Sequence, residues 1–475
     1  MNIAEIIRDS MIKRSAQEHT ALLDENRRIS YHELFSAIDG IAVELRAFGV
    51  TRGSRVVFIC QDSMDDIIGS LAILSLSAIL IPIHPSSGKQ ELNDLYDRIG
   101  ADFLFYECAL CPDQNGLDVG KDIFLEKDFG LCSLTNKVPF SREMAELNLA
   151  FIRFSSGTTS LSKGVLLSHE TIMDRLNAAN KGMQITSNDT ILWVLSMSYH
   201  FVVSILLFLR QGATICLCYD NFPRSFEKAL SQGIGTFCYA SPYHYYSLIE
   251  SEQVSSSALQ NIRMAISTSV KLPKETEQRF LEKFGFGLTE AYGIIEIGLP
   301  FINDKPGHKL SSVGRLLPDY EFELRNKDQA GIGEIFIRGP GMFDGYASPW
   351  YRREVNSWFD TGDLGRLDAD GYLFIVGRKK NIINFAGMKV YPYEVEMTLS
   401  RHPAVKEAFV FGQPHPRYTQ LPCAKVVLKK KTDVNELQSF CALHLSPYKI
   451  PKRIEIVSSL PKTPSGKIRR VIEME

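Results

Sequence analysis

At 475 residues the chain exceeds what one compact core usually supports, so two or more domains are expected. Apolar residues make up 45% and charged residues 23%, an ordinary globular balance, and a net charge of −2 lacks the basic excess that nucleic acid or an anionic membrane would attract. Nine scattered cysteines, several in apolar surroundings (Cys216, Cys218, Cys238), suit a reducing compartment and predict a cytoplasmic protein.

In chain order, Met1 to Arg14 mixes charges with apolar residues and reads as an amphipathic helix, not a signal peptide. Tyr31 to Phe48 carries apolar residues at helical spacing and stops at Gly49. Arg55–Cys60 reads as a strand. The uncharged stretch Ile67–Ile83 is too short to span a membrane and divides into a helix ending near Ser77 and a strand Ile79–Ile83. That is βαβ grammar, which predicts parallel sheets between helices. Further strand-like runs lie at Asp102–Tyr106, Ala150–Phe154, Thr214–Cys218 and Thr236–Tyr239. From about Tyr320 the runs alternate apolar with polar, the pattern of half-buried antiparallel strands and a small β-barrel-like subdomain. Beyond Gly377 the chain becomes a small α+β unit. The predicted division is residues 1–379, a large α/β domain, and residues 380–475, with the boundary in the charged run at Lys380.

Chemistry enters at Phe151–Val165. An apolar lead-in meets a loop in which six of the eight residues 155–162 carry hydroxyls, followed by Lys163-Gly164 and a second apolar run. Strand, polar loop, strand presents backbone N–H groups and hydroxyls to an anion while both ends stay anchored. The spacing is not that of a Walker loop. Downstream, Leu192–Tyr219 contains no acidic residue and includes Tyr199-His200-Phe201. Phe286-Gly287-Leu288-Thr289-Glu290 and Tyr292-Gly293-Ile294-Ile295-Glu296 form two near-copies of one pattern. Thr361-Gly362-Asp363 stands fourteen residues before the run that begins at Gly377, Gly377-Arg378-Lys379-Lys380. Phe385–Glu396 and Leu460–Ile468 complete the set, the latter framing Lys467 between Gly466 and Ile468.

In their order and spacing, from about residue 20 to 470, these motifs resemble the adenylate-forming superfamily of acyl-CoA synthetases, peptide-synthetase adenylation domains and luciferases. The resemblance implies that Ser155, Ser156, Gly157, Thr158, Thr159 and Lys163 form the phosphate loop. It departs at Ser160, usually Gly, and Ser162, usually Pro. Counting from Phe284-Gly285, the second near-copy falls at the signature position, which implies that Tyr292 stacks on adenine and that Glu296 holds Mg²⁺; Ile295 replaces the usual Thr. Asp363 is expected on the ribose hydroxyls, Arg378 on ribose or phosphate, Lys380 at the pivot of a mobile C-terminal domain, and Gly387 beside the thiol tunnel. Lys467 is expected as the catalytic lysine at the carboxylate–α-phosphate centre. His200, Phe201, Val203 and Tyr243 are the expected walls of the acyl pocket.

The implied activity is ATP-dependent ligation of a carboxylic acid to a thiol through an acyl-adenylate. The acceptor is coenzyme A or, alternatively, the pantetheine of a carrier protein supplied in trans, since no carrier domain follows Lys467. The missing carboxylate near His200 argues against an α-amino acid, because family members that load one hold its ammonium there, and the apolar walls favour a fatty or aryl acid. A degenerate, non-catalytic nucleotide-binding protein is the competing reading, on the strength of Ser160, Ser162 and Ile295.

Overall fold

A computed structural model of the chain describes residues 1–87, 89–110, 119–125, 128–135, 138, 142–154, 163–218, 222–462, 468 and 470. Ser155, Ser156, Gly157, Thr158 and Thr159 of the expected phosphate loop, and Lys467, lie outside the described residues.

Two nine-stranded sheets form the large N-terminal part. In one, the parallel centre is built from Met264–Ser267, Phe237–Ala240, Thr190–Trp193, Thr214–Leu217 and Thr20–Leu23, with antiparallel strands at both edges. In the other, Leu149–Phe154, Ile79–Ile83, Arg55–Ile59 and Phe103–Glu107 run parallel. Alternate residues of Arg55–Ile59 explain why both faces are covered. Val56 and Phe58 enter the core shared by the two sheets, whereas Val57 and Ile59 enter a separate cluster with Leu95, Tyr96 and Ile99 of the helix Lys89–Ile99. The layers are therefore helix, sheet, helices, sheet, helix.

The shared core is held by large rings. Trp193 is fully buried, stacked on Tyr239 at 5.6 Å and edge-on to Phe208. The helix Tyr31–Phe48 runs over the residues its periodicity indicated. Ser30 caps its N-terminus in a reciprocal box with Glu33, and Gly49 ends it in the left-handed region. The uncharged stretch is the helix Met64–Ser75 followed by the strand Ile79–Ile83, and no described helix is long and apolar enough to cross a membrane. Among the described residues Cys60, Cys216, Cys218, Cys238, Cys423 and Cys441 are free thiols.

The antiparallel grammar after Tyr320 is a four-stranded sheet, Glu321–Arg325, Gly333–Arg338, Phe359–Leu367 and Leu373–Arg378. A further five-stranded sheet is built wholly from residues between Ile383 and Ile456 and has its own core of Val390, Val395, Leu399, Val426 and Leu437. Lys379–Asn381, a single 3₁₀ turn, connects the two.

Candidate active site

The two apolar runs that flank residues 155–162 pair as strands, Leu149–Phe154 antiparallel with Gly164–Ser168. Tyr346, on the next strand, stands opposite Val165. Its ring carries the Lys163 ammonium at 4.7 Å, and its hydroxyl donates to Glu296 at 3.3 Å. One tyrosine thus brings together a cation and a carboxylate that are 133 positions apart in the chain.

The two near-copies of the signature separate sharply. Glu290 lies on the strand Thr289–Ile294, 3% exposed, where it accepts from the N–H of Leu272 at 3.3 Å. Burial raises its carboxyl and lowers the ammonium of neighbouring Lys271, pushing both toward neutrality. Glu296 instead sits in the turn that joins this strand to Gly298–Ile302, beside Tyr346. Gly293 is required there, because a Cβ would lie 2.0 Å from the carbonyl oxygen of Gly298 on the returning strand. Ile295 offers no side-chain donor, but its carbonyl is occupied: buried Arg175 donates to it at 2.8 Å and to the carbonyl of Gly341 at 2.7 Å. Arg175 was not legible in the sequence, where it is one polar residue on a helix.

A second cluster lies on three strands. The Tyr292 hydroxyl donates to Asp363 at 2.7 Å, and Arg378, directly across the antiparallel ladder, pairs with the same carboxylate at 2.7 Å. Arg378 also donates to the carbonyl of Thr361 at 3.1 Å. Tyr292, expected to stack on adenine, is only 8% exposed and packs edge-on to Phe301. Its burial and the Asp363 carboxylate hold its hydroxyl in the protonated, donating form.

His200 ends the short helix Met197–His200, and its Nε2 lies 3.0 Å from Oγ of Ser269. A π-helical turn, Phe201–Ile205, follows, with Val203 outside helical dihedrals. Such turns recur at functional sites. Phe201 is buried in the shared core, Val203 is half-buried, and Tyr243 is 67% exposed, its ring against Phe222 and His244. Of the four expected pocket walls, Tyr243 therefore stands at a surface, not in an interior.

Two partners of this segment escaped the sequence reading. The stretch Leu192–Tyr219 contains no carboxylate of its own, yet Asp62 reaches it from another element and accepts from the N–H of Met197 at 2.6 Å. Burial lifts the Asp62 carboxyl to about 6. At the other end, Arg153 donates to the carbonyl of Tyr199 and lies over its ring at 5.1 Å, while its Nε has no partner among the described residues. Burial lowers that guanidinium to about 10.

On the C-terminal side, Lys380 lies in the connecting turn, its ammonium pushed down by burial and by Arg378. Neighbouring Lys379 pairs with Glu334 at 2.6 Å. Gly387 has φ of +81° at the tip of a two-residue hairpin after Ala386 at +51°, the handedness that suits twisted strands. A Cβ there would meet nothing within 4 Å, so turn geometry, rather than crowding, is the local reason for glycine.

Residues 11–347 match the model of the AMP-binding enzyme family, and residues 394–467 match that of the AMP-binding enzyme C-terminal domain. The chain is 27% identical to a long-chain-fatty-acid–CoA ligase of Bacillus subtilis, over 96% of this chain and 92% of the relative. It is 27% identical to a 2-succinylbenzoate–CoA ligase of Listeria monocytogenes, over 96% of each. In structure it resembles ATP-bound MatB from Rhodopseudomonas palustris, with a TM-score of 0.82, 22% identity and coverage of 99% of this chain and 98% of that one. The fold, the paired strands that flank residues 155–162 and these matches together place the chain in the AMP-binding enzyme family.

Proposed function

We propose that this protein is an ATP-dependent carboxylic acid–CoA ligase that works through an acyl-adenylate, with a fatty or aryl acid as substrate. The observation that carries the reading is a pair of clusters at the motif positions the family uses, Lys163 and Glu296 joined through Tyr346, and Arg378 with Tyr292 on Asp363. In the first half-reaction the acid's carboxylate oxygen attacks the α-phosphorus of ATP and pyrophosphate leaves. In the second, a thiol sulfur attacks the acyl carbonyl and AMP leaves.

Each residue has a role its chemistry allows. Lys163, with Ser155, Ser156, Gly157, Thr158 and Thr159, neutralises and orients the departing phosphates. Asp363 is buried and aimed by Arg378 and Tyr292, so its oxygens are ordered to accept ribose hydroxyls. Tyr292 meets the nucleotide from beside Asp363. Lys467 places an ammonium against the charge that builds between carboxylate and α-phosphate. His200, Phe201, Val203 and, at the rim, Tyr243 bound the acid.

Glu296 fits Mg²⁺. Its carboxylate is the hard oxygen donor that a phosphate-bound magnesium takes. When bound, the ion neutralises phosphate charge as the bond to pyrophosphate lengthens. The domain division at 379/380, a pivot at Lys380 and a thiol path past Gly387 are supported by the self-contained sheet beyond Ile383 and by the single turn that joins it to Arg378.

ATP–pyrophosphate exchange over a panel of fatty and aryl acids tests the reading, followed by acyl-CoA release with the best acid. Exchange that depends on one acid class supports it, and acyl transfer to a carrier protein but not to CoA would reassign the acceptor. Absence of exchange with every acid would return the non-catalytic nucleotide-binding alternative.

A further inference from the structure

Just beyond the strand Met264–Ser267 the backbone takes a conformation that few side-chain-bearing residues adopt. Ser269 has φ of +75°, and the N–H of Val270 donates to the carbonyl of Thr268 at 3.0 Å. Ser269 is thus the central residue of a γ-turn of the rarer, strained hand. Glycine takes this φ freely, whereas a Cβ crowds the backbone.

The turn is clamped on both sides without help from the serine. Thr268 donates its N–H to the carbonyl of Ala240 at 3.0 Å. Lys271 donates to the carbonyl of Ile375 at 2.7 Å, and the N–H of Leu272 donates to Glu290. These contacts are made by the backbone or by neighbours, and a glycine at 269 would keep all of them. What glycine would lack is the hydroxyl, and that hydroxyl lies 3.0 Å from Nε2 of His200. Strain kept where a smaller residue would remove it points to a task for the side chain.

The segment that carries His200 shows the same economy of attachment. Asp62 holds the start of its helix and Arg153 holds the carbonyl of Tyr199, so the backbone before His200 is tied at two points. Neither contact sets the imidazole plane. The bond to Ser269 bears on the ring itself, because Nε2 lies far from the Cα–Cβ bond and a partner there limits the swing of the imidazole about that bond.

We infer that Ser269 is a positioning residue for the adenylation step, holding the His200 imidazole so that the acid's carboxylate meets the α-phosphorus in line. The inference rests on the ligase reading above. It uses no substrate contact by Ser269 itself.

The test is a pair of variants on the full-length protein, Ser269→Gly and Ser269→Ala, measured by thermal melting and by ATP–pyrophosphate exchange with the best acid. Glycine removes strain and hydroxyl together, while alanine removes only the hydroxyl, so the expected melting order is glycine at or above wild type and alanine below. Exchange kcat should nevertheless fall about tenfold in both, the rate equivalent of one hydrogen bond, with KM for ATP unchanged. Adding Ser269→Gly to His200→Ala should cost little further, because both act through one contact. If Ser269→Gly exchanges as wild type and only Ser269→Ala is impaired, activity follows stability and the inference is overturned. Multiplying losses in the double variant overturn it too. Wild-type exchange with Ser269→Gly unimpaired removes this inference alone, whereas no wild-type exchange with any acid removes the ligase reading and this inference with it.

Discussion

Glu296→Gln and Glu290→Gln make the sharpest comparison this protein offers, because the two glutamates end near-identical sequence motifs but occupy opposite environments. Glu290 is 3% exposed, keeps one hydrogen bond from Leu272, and is pushed toward its protonated form by burial. The amide introduced by Glu290→Gln is a neutral isostere that still accepts from that N–H, so this variant should lose less than about 1.5 kcal/mol of stability and keep exchange within a few-fold of wild type. A Glu290 that was instead the charged partner of Lys271 would leave a buried ammonium uncompensated, at about 3–5 kcal/mol. Glu296 lies in a turn and accepts from Tyr346, a bond that an amide oxygen also accepts, so Glu296→Gln should hardly change the melting temperature. Loss of its charge beside a phosphate-bound cation should lower kcat about 10²–10³-fold, or about 3–4 kcal/mol of transition-state stabilisation, and raise the magnesium concentration needed for half-maximal exchange. Chemical denaturation and exchange across a magnesium titration read both effects on one preparation. A larger catalytic loss in Glu290→Gln than in Glu296→Gln would refute the assignment of the signature to the second copy.

Three further outcomes are expected. Asp62 titrates near 6 when folded because burial raises it above its ordinary 3.8, so its ionised form subtracts stability above about pH 6 and the penalty fades as pH falls toward 4. Asp62→Asn should therefore be more stable than wild type at pH 8, by up to about 3 kcal/mol for a shift of about 2 units, and no more stable at pH 4; denaturation midpoints that differ equally at both pH values would sink this account. Lys467→Ala should slow adenylation by about 10²-fold or more while sparing thiol transfer from supplied acyl-adenylate, and equal losses in the two steps would remove Lys467 from the adenylation centre. Lys380→Pro, which fixes φ near roughly −65° in the connecting turn, should impair the two half-reactions unequally, with adenylation spared and acyl-CoA release blocked. A uniform effect on both would place the pivot elsewhere.

What the amino-acid sequence determined by itself is mostly local or periodic. Helical spacing from Tyr31 to Phe48 and a Gly at 49 sufficed to bound that helix, because its caps are made by residues within the same stretch. The change from apolar runs to alternation near Tyr320 marked the change from doubly buried parallel strands to a half-exposed antiparallel sheet, because burial on one face or two is written directly into strand periodicity. The spacing of the motifs was enough to prefer Glu296 over Glu290, and the structure supplies the physical contrast between them. Tertiary structure alone decided which distant groups meet. Asp62 closes on a segment chosen partly for lacking carboxylates, and Arg175 ties Ile295 to Gly341. Tyr346 joins Lys163 to Glu296, and Ser269, in a backbone conformation that no propensity favours, reaches His200. Such contacts depend on how two sheets and their loops are set against each other, a property of the whole packed core that leaves no local period or composition for a sequence to show.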